Sequence, residues 1–218
     1  MIKLFIIGAS SKLARKFIMD NSLKNVSIFG TYHSYDVRKL FKAAEKKNIL
    51  TKKFLKIDLR KQEDLNRISN ILIKFNPDIL INFSTIHVKR KKFEKINLDS
   101  LKKVFEVNFF SQIKLYLKIC KKLNKLKKKV FILNINSKST LNGGFKIYEY
   151  STSKAATANL LKSLQREYKK IKFINFTIPS VQKTMGKDSI SYDFFNKNLS
   201  NIIRKIKKTK KLKSEMII

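Results

Sequence analysis

Tyr150 and Lys154, four residues apart, are the side chains of this chain best suited to acid/base chemistry. Positions i and i+4 of a helix lie on one face, so the phenol and the ammonium would point into the same space. Because a nearby positive charge favours the phenolate, we expect Lys154 to lower the pKa of Tyr150. Ser137 adds a hydroxyl thirteen residues upstream. Together the three residues indicate redox chemistry on a carbonyl or an alcohol.

The spacing of this pair is not specific by itself, because Lys and Arg make up 50 of the 218 residues. Tyr35 with Lys39 and Tyr168 with Lys172 have the same spacing, and neither pair has catalytic residue types around it. The interpretation therefore depends on the elements that position Tyr150 and Lys154.

Short apolar runs alternate with segments of helical periodicity along the chain. The first run covers residues 2–7, and a turn at Gly8 leads to a helix that Ser10 or Ser11 can cap. Further strands are predicted at 26–31, 54–57, 79–83, 130–135 and 172–177, and further helices at 36–47, 61–75, 101–123 and 148–168. This order predicts an α/β fold with a doubly wound parallel sheet and helices on both of its faces.

The order of these elements and of their polar residues resembles the short-chain dehydrogenase/reductase family, from residue 2 to about residue 185. Gly8 stands at the family's glycine-rich cofactor turn, and Asn108 stands at its structural and proton-relay asparagine. The resemblance implies one Rossmann-like domain over residues 1–218 and a nicotinamide cofactor. The cofactor contacts that it implies are Gly8, Ser10, Ser11, Lys12, Leu13, His33, Ser34, Asp58, Leu59, Asn82, Phe83, Ser84, Tyr150, Lys154, Pro179, Val181 and Thr184.

The resemblance also implies a mechanism for an NAD(P)-dependent dehydrogenase or reductase of a small carbonyl or alcohol. Tyr150 would give a proton to the carbonyl oxygen or take it from the alcohol, as a hydride moves from or to the nicotinamide. Ser137 would hold that oxygen, and Lys154 would hold the cofactor ribose. Asn108 would position a water that links Lys154 to solvent. These four residues are the expected catalytic set.

Two positions of the cofactor turn depart from the family pattern. Lys12 stands at the second glycine, where the backbone approaches the pyrophosphate, and Ala14 stands at the third. Lys12 leaves three alternatives open: a tolerated change, an ammonium near the cofactor phosphate, or weakened cofactor binding. The last alternative corresponds to a catalytically weak, nucleotide-binding regulatory relative.

The end of the second predicted strand, residues 28–34, bears on the choice of cofactor. An Asp or Glu there would accept a hydrogen bond from the ribose 2′-hydroxyl and repel a 2′-phosphate, and neither residue type is present. The sequence therefore favours NADP(H) over NAD(H). His33, Ser34 and Arg38 are the candidates for contact with the phosphate.

The formal net charge of +35 raises a third possibility, a protein that binds nucleic acid or another polyanion. The basic residues are almost all Lys and are spread along the chain without a nucleic-acid-binding motif, so we expect no specific nucleic-acid partner. We also expect no metal site, because His33 and His87 lack neighbouring ligands. We expect Cys120 to pack within a helix and His87 to lie in a loop near the substrate.

Location, assembly and substrate are less strongly constrained. The first apolar run is too short to span a bilayer, which favours a cytoplasmic protein with no membrane span. Helices at 101–123 and 155–164 offer more apolar and small residues than one sheet face needs, which predicts a homo-oligomer, a dimer or a tetramer. The expected substrate loops, near 85–96, 138–147 and 181–198, carry no recognisable signature. Of the last residues, only 214–218 are a candidate for a short, truncated last strand.

Overall fold

The computed structural model describes residues 1–20, 25–34, 50–182, 189–209 and 212–218. In this part of the chain, seven parallel strands form one sheet, and two short strands form a separate pair. The strands are β1 Ile2–Ile7, β2 Val26–Tyr32, β3 Leu50–Lys56, β4 Ile79–Asn82, β5 Val130–Ser137, β6 Ile171–Ile178, β7 Ser180–Gln182, β8 Ser189–Ser191 and β9 Glu215–Ile217. The predicted doubly wound α/β fold is confirmed.

The large sheet has the strand order β3-β2-β1-β4-β5-β6-β9, so the direction of winding reverses between β1 and β4. These two strands pair in parallel, with Ile6 opposite Ile81 and Ile7 opposite Asn82. In doubly wound sheets, ligands bind beyond the carboxyl ends of the strands at this reversal. The topology therefore opens a crevice next to the turn that follows β1.

Helices flank the sheet, and one of them contains a turn that the sequence did not predict. They are α1 Lys12–Ile18, α2 Gln62–Phe75, α3 Leu98–Phe105, α4 Ser111–Asn124, α5 Ser139–Asn142, α6 Tyr148–Glu167 and α7 Tyr192–Thr209, with a 3-10 turn at Phe93–Lys95. The single helix predicted over 101–123 begins earlier and contains a π-helical turn at Glu106–Phe110, between α3 and α4. The helix predicted over 36–47 lies outside the described residues.

The hydrophobic core consists of two layers, one on each face of the sheet. Leu4 and Ile6 of β1 belong to the layer that includes residues of α1 and α7, whereas Phe5 and Ile7 belong to the layer that includes residues of α2 and α4. This division follows from the alternation of side chains along a strand. Cys120 is buried in the second layer, and burial raises the pKa of its thiol to about 12. It packs in the helix as the sequence predicts.

The two ends of the described chain also agree with the sequence. Ser11 is the residue that caps α1, because its hydroxyl accepts a hydrogen bond from the Ala14 N–H at 3.1 Å. The short strand β9 pairs in parallel with β6, which confirms the last strand expected at 214–218.

Among the described residues, no helix is long and apolar enough to cross a membrane, and no three His, Cys, Asp or Glu side chains are grouped to hold a metal ion.

Candidate active site

A cleft of about 440 Å³ lies at the carboxyl ends of β1, β2, β3 and β4. Nine residues of the expected cofactor set line it, namely Gly8, Ser10, Ser11, His33, Ser34, Asp58, Leu59, Phe83 and Ser84. The other described members of that set do not line it: Lys12, Leu13, Asn82, Tyr150, Lys154, Pro179 and Val181. Two expected contacts, Arg38 and Thr184, lie outside the described residues. The cleft therefore brings together the half of the set that follows β1 to β4.

Gly8 is required at the first turn for two reasons. Its φ of +76° lies in the region that only glycine adopts without strain, and a Cβ there would lie 2.7 Å from the backbone nitrogen of Ser84. The turn closes through a hydrogen bond from the Ser11 N–H to the Gly8 carbonyl at 3.0 Å. The missing side chain thus lets the turn pack directly on the end of β4.

Lys12 is directed toward α7 instead of the cleft. Its Nζ lies 5.5 Å from the centre of the Tyr192 ring, and the Nζ of Lys16 lies 5.9 Å from the same ring. Both distances are within the range of a cation–π interaction. Ala14, at the third glycine position, is fully buried, so a methyl group is accommodated between helix and sheet. Of the three alternatives for Lys12, an ammonium near a phosphate in the cleft has no support in this geometry.

Asp58, at the end of β3, has its carboxylate held by Arg60. Arg60 Nε donates to Oδ1 at 2.9 Å and Nη2 donates to Oδ2 at 2.6 Å, while the Arg60 backbone N–H donates to Oδ1 at 3.0 Å. His33 Nε2 lies 3.6 Å from Oδ2. The hydrogen bonds from Arg60 hold the pKa of Asp58 well below its usual range. Asp58, one of the expected cofactor contacts, is therefore an ionised carboxylate that already has a partner.

Asn82, at the end of β4, belongs to a closed hydrogen-bond ring with Gln112 and Ser84. Asn82 Nδ2 donates to Gln112 Oε1 at 2.7 Å, Gln112 Nε2 donates to Ser84 Oγ at 2.9 Å, and Ser84 Oγ donates to Asn82 Oδ1 at 2.6 Å. Asn82 and Gln112 are buried. Because buried polar groups that are fully paired are held rigidly, the ring fixes the backbone after β4 against α4.

Asn108 lies in the π-helical turn and is buried. Its Oδ1 accepts from the Ile86 N–H at 2.7 Å, and its Nδ2 donates to the Ile86 carbonyl at 3.1 Å and to Ser153 Oγ at 3.1 Å. Thr157 Oγ1 donates to the Asn108 carbonyl at 2.8 Å. Single π-helical turns are frequent at functional sites. Here the turn joins the loop after β4 to α6, the helix that carries Tyr150 and Lys154.

Tyr150 lies in the first turn of α6, beside Ser137 at the end of β5. Burial raises the pKa of the Tyr150 phenol, and its hydrogen-bonding interaction with the Ser137 hydroxyl opposes that shift. The pKa of Tyr150 is therefore raised and not lowered as the sequence predicts, because the loss of hydration of the phenolate outweighs the opposing contribution of Ser137. Ser137 Oγ is also 2.9 Å from Ser139 Oγ.

Lys154 is buried, with its ammonium next to the backbone of β5 near the carboxyl end of that strand. Its Nζ donates to the Ile135 carbonyl at 2.6 Å, and burial lowers its pKa to about 8. An ammonium has three donor hydrogens, and no second acceptor lies within hydrogen-bond distance of this Nζ among the described residues. Lys154 is thus held by one backbone group and has donors left for a ligand.

His87, which the sequence predicts only as a loop residue near the substrate, lies on Tyr150. The two rings are stacked, with their centroids 5.1 Å apart and an angle of 21° between their planes. Sequence reasoning also did not identify Arg60, Gln112 or Lys103, which lines the cleft. Arg60 had a local signal, since it stands two residues after Asp58, whereas the other contacts arise only from tertiary packing.

Pro179 and Val181 follow β6, on the side of the sheet away from β3. Pro179 lies between β6 and β7, and Val181 in β7 is partly buried against the core layer of α1 and α7. The geometry brings neither residue into the cleft of Gly8 and Asp58. The contact with the cofactor that the resemblance implies for them stays a prediction.

A family model described as short chain dehydrogenase matches residues 3–192. No curated protein matches the chain significantly. Among solved structures, the NADH-dependent reductase A1-R' responsible for alginate metabolism is 16% identical, with a TM-score of 0.84, and the match covers 100% of this chain and 95% of that one.

Two alcohol dehydrogenases have similar folds. The bulky-bulky ketone specific enzyme from Comamonas testosteroni is 17% identical with a TM-score of 0.80, and the match covers 100% of this chain and 86% of that one. The enzyme from the archaeon Thermococcus sibiricus, solved with 5-hydroxy-NADP, is 15% identical with a TM-score of 0.82, and the match covers 100% and 96%. At these identities the likeness establishes the fold.

Proposed function

The chain belongs to the short chain dehydrogenase family, and on that premise we propose that it is an NAD(P)-dependent oxidoreductase that transfers a hydride between a nicotinamide cofactor and a small carbonyl or alcohol. The grouping of Ser137, Tyr150 and Lys154 carries the proposal. A hydroxyl, a phenol and a buried ammonium at the end of one strand are the groups needed to move a proton at a carbonyl oxygen.

The residues of the cleft fit a dinucleotide. Gly8 has no side chain between the turn and the end of β4, and the volume of about 440 Å³ lies within the range of small-molecule sites. Arg60, His33 and Lys103 line the same cleft and supply donors and positive charge for phosphates. When bound, the nicotinamide supplies or accepts the hydride.

Tyr150 is the proton donor in the proposed reduction. Because burial raises its pKa, the phenol keeps its proton at neutral pH and can give it to the carbonyl oxygen. The Ser137 hydroxyl beside it donates a second hydrogen bond to that oxygen and so stabilises the negative charge that develops there. In the direction of oxidation, Tyr150 receives the alcohol proton.

Lys154 supports this transfer electrostatically. With a pKa of about 8 it is mainly cationic at neutral pH, so its charge stabilises the phenolate that forms when Tyr150 loses its proton. Its remaining donors are available to the cofactor ribose. Asn108 keeps its role in the proposal through its carbonyl, which accepts from Thr157 and has a second lone pair for a relay water.

The proposed cofactor preference is NADP(H) over NAD(H). Two observations support it: the end of β2 carries His33 and Ser34 and no carboxylate, and the carboxylate of Asp58 is neutralised by Arg60. Repulsion of a 2′-phosphate is weak where the acidic group is paired. The positive charges of His33, when protonated, and Arg60 are placed on the same wall of the cleft.

The proposed assembly is a homo-oligomer that uses the helix containing the π-helical turn. Phe110 is 45% exposed and Leu117 is 77% exposed, and seven residues separate them, so they lie on one face of that helix. Exposed apolar groups in line on a helix favour association. Light scattering at moderate salt measures this directly, because a monomeric mass would contradict the proposal.

A thermal-shift comparison separates the proposed function from its alternatives. NADPH, NADH and a random oligonucleotide are added separately at moderate salt, and we expect NADPH to raise the unfolding midpoint most, since a ligand that binds only the native state stabilises it. A shift with the oligonucleotide alone would favour a polyanion-binding protein. A shift with NADPH without oxidation of NADPH by any ketone or aldehyde would favour a catalytically weak relative.

A further inference from the structure

The backbone beside His87 is held by hydrogen bonds of the preceding residue, Ile86. The N–H of Ile86 donates to Asn108 Oδ1 at 2.7 Å, and Asn108 Nδ2 donates to the Ile86 carbonyl at 3.1 Å. Both backbone polar groups of residue 86 are thus held by one buried side chain. The backbone next to His87 is therefore held in place, and its imidazole is stacked on the phenol ring at a centroid distance of 5.1 Å.

The two ring nitrogens of His87 are uncommitted. Within the described part of the chain, the contacts of this side chain are the stack on Tyr150 and an electrostatic interaction with Lys154, and neither nitrogen has a hydrogen-bond partner. Partial desolvation and the charge of Lys154 both lower the pKa of His87, although the residue as a whole remains exposed to solvent. The imidazole is therefore neutral at neutral pH, with one donor and one acceptor.

We propose that His87 is a specificity-determining residue that binds a hydroxyl group on the carbon next to the reacting carbonyl. The preferred substrates are then hydroxy ketones or hydroxy aldehydes, and vicinal diols in the reverse direction. This inference rests on the proposed function, because it takes Tyr150 as the proton donor. A hydroxyl donates one hydrogen bond and accepts another, which matches the donor and the acceptor of a neutral imidazole.

The position of the imidazole selects the substituent that it binds. A carbonyl oxygen that receives the Tyr150 proton must lie within hydrogen-bond reach of the phenol. In the proposed binding mode, a group on the adjacent carbon lies next to the ring stacked on that phenol. An apolar ring at position 87 would stack on Tyr150 as well, but it would offer no hydrogen bond. The role of His87 is therefore separable from simple packing by experiment.

The test uses two pairs of ketones that differ only by a hydroxyl in place of a methyl group: hydroxyacetone with butanone, and 2-hydroxyacetophenone with propiophenone. We expect the protein to prefer the hydroxylated member of each pair about tenfold in kcat/KM, mainly through KM, as one additional hydrogen bond gives. His87→Phe keeps a ring for the stack and should reduce the preference to about onefold. His87→Gln should restore part of it.

A binding measurement accompanies the kinetics. The chain has two histidines, so a His87→Phe spectrum assigns the imidazole NMR signals. With oxidised cofactor present, hydroxyacetone should shift the His87 signal more than butanone does. Equal turnover of both members of each pair, or an unmoved His87 signal, would overturn the role of His87 and leave the proposed reaction standing. A His87 shift without oxidation of NADPH by any ketone would overturn the reaction and keep the hydroxyl site.

Discussion

The two ends of the candidate site use charge in opposite ways. Asp58 and Arg60 form a paired, partly exposed ion pair, and hydrogen bonding from Arg60 lowers the pKa of Asp58. At the other end, desolvation is the largest influence on the pKa values of Tyr150, Lys154 and His87. It shifts each pKa in the direction that favours the neutral form of the group. Paired charges recognise and hold a ligand, whereas groups whose charged forms are disfavoured are suited to exchange protons. We therefore propose that the first end binds the cofactor and the second carries out the chemistry.

Among the substitutions that test this difference between the two ends, we expect Lys154→Met to have the largest effect on turnover. Lys154→Met removes the charge that stabilises the phenolate, and we expect kcat to fall by about 100-fold, within the range attributed to positioned acid/base groups. Steady-state oxidation of NADPH measures it. An unchanged kcat would separate Lys154 from the chemistry.

The Lys154→Met variant should also change how the free energy of unfolding depends on pH. The pKa of Lys154 is about 8 in the folded protein against 10.5 for an unperturbed lysine, so between these values the unfolded chain binds more protons. Stability therefore rises with pH across this window, by about 3 kcal/mol for a buried group with this shift. Urea unfolding at pH 7.5 and at pH 10 should show this rise in the unsubstituted protein relative to Lys154→Met. Parallel curves would contradict it.

The second effect concerns the turn that supports the binding end. Gly8→Ala places a Cβ 2.7 Å from the Ser84 nitrogen at a φ of +76°, whereas a Cβ at Gly143, which has the same φ, would meet no described atom within 4 Å. Both variants have the strain of a positive φ, of about 1–3 kcal/mol, and only Gly8→Ala adds the clash. We expect Gly8→Ala to lose more stability than Gly143→Ala in urea unfolding, and to lose NADPH binding at least about tenfold. Equal losses of stability in the two variants would show that the clash with Ser84 does not contribute.

The third effect is at the ion pair itself. Arg60→Met removes a cation from the cleft and takes the guanidinium partner from the Asp58 carboxylate, so we expect NADPH to bind about tenfold more weakly, with a smaller change for NADH. Arg67→Met is the matched control, because Arg67 is exposed on α2 and does not line the cleft. Isothermal titration measures both affinities. A loss of kcat at saturating NADPH, with affinity unchanged, would reverse the division of roles between the two ends.

The smallest effect involves a second buried titratable side chain on α6. Glu149 is 1% exposed, and neither of its carboxylate oxygens has a hydrogen-bond partner among the described residues, in contrast to Lys154, which donates to Ile135. Because an unpaired buried carboxylate is unfavourable, Glu149→Gln should raise the free energy of unfolding by about 1 kcal/mol. Urea unfolding checks it, with Glu167→Gln at the exposed end of the helix as the control. A lower stability for Glu149→Gln would contradict the account of this carboxylate.

The sequence predicts the fold well because strand and helix periodicities are local. The runs at 2–7 and 130–135 become β1 and β5, and Ser11 caps α1 as its residue type indicates. The π-helical turn at Asn108 is not local, because it depends on contacts with Ile86 and Thr157. A helical spacing of four residues likewise contains no information about burial, and burial decides the direction of the Tyr150 pKa.

Side-chain direction is the other property that the sequence does not contain. Lys12 stands at a glycine position of the cofactor turn, and its ammonium lies over Tyr192, 180 residues later in the chain. Arg60 is two residues from Asp58, yet only the turn after β3 brings its guanidinium onto both carboxylate oxygens. The identity of the candidate residues was thus predictable, while their partners required the fold.

The proton-donor role of Tyr150 is tested most directly by Tyr150→Phe, with NADPH binding and ketone reduction measured on the same preparation. The variant keeps the ring that stacks on His87 and removes only the hydroxyl. We predict that kcat falls by about 100-fold or more while the Kd for NADPH stays within about twofold, since Tyr150 lies at the end built for chemistry. Normal turnover by Tyr150→Phe would contradict the account.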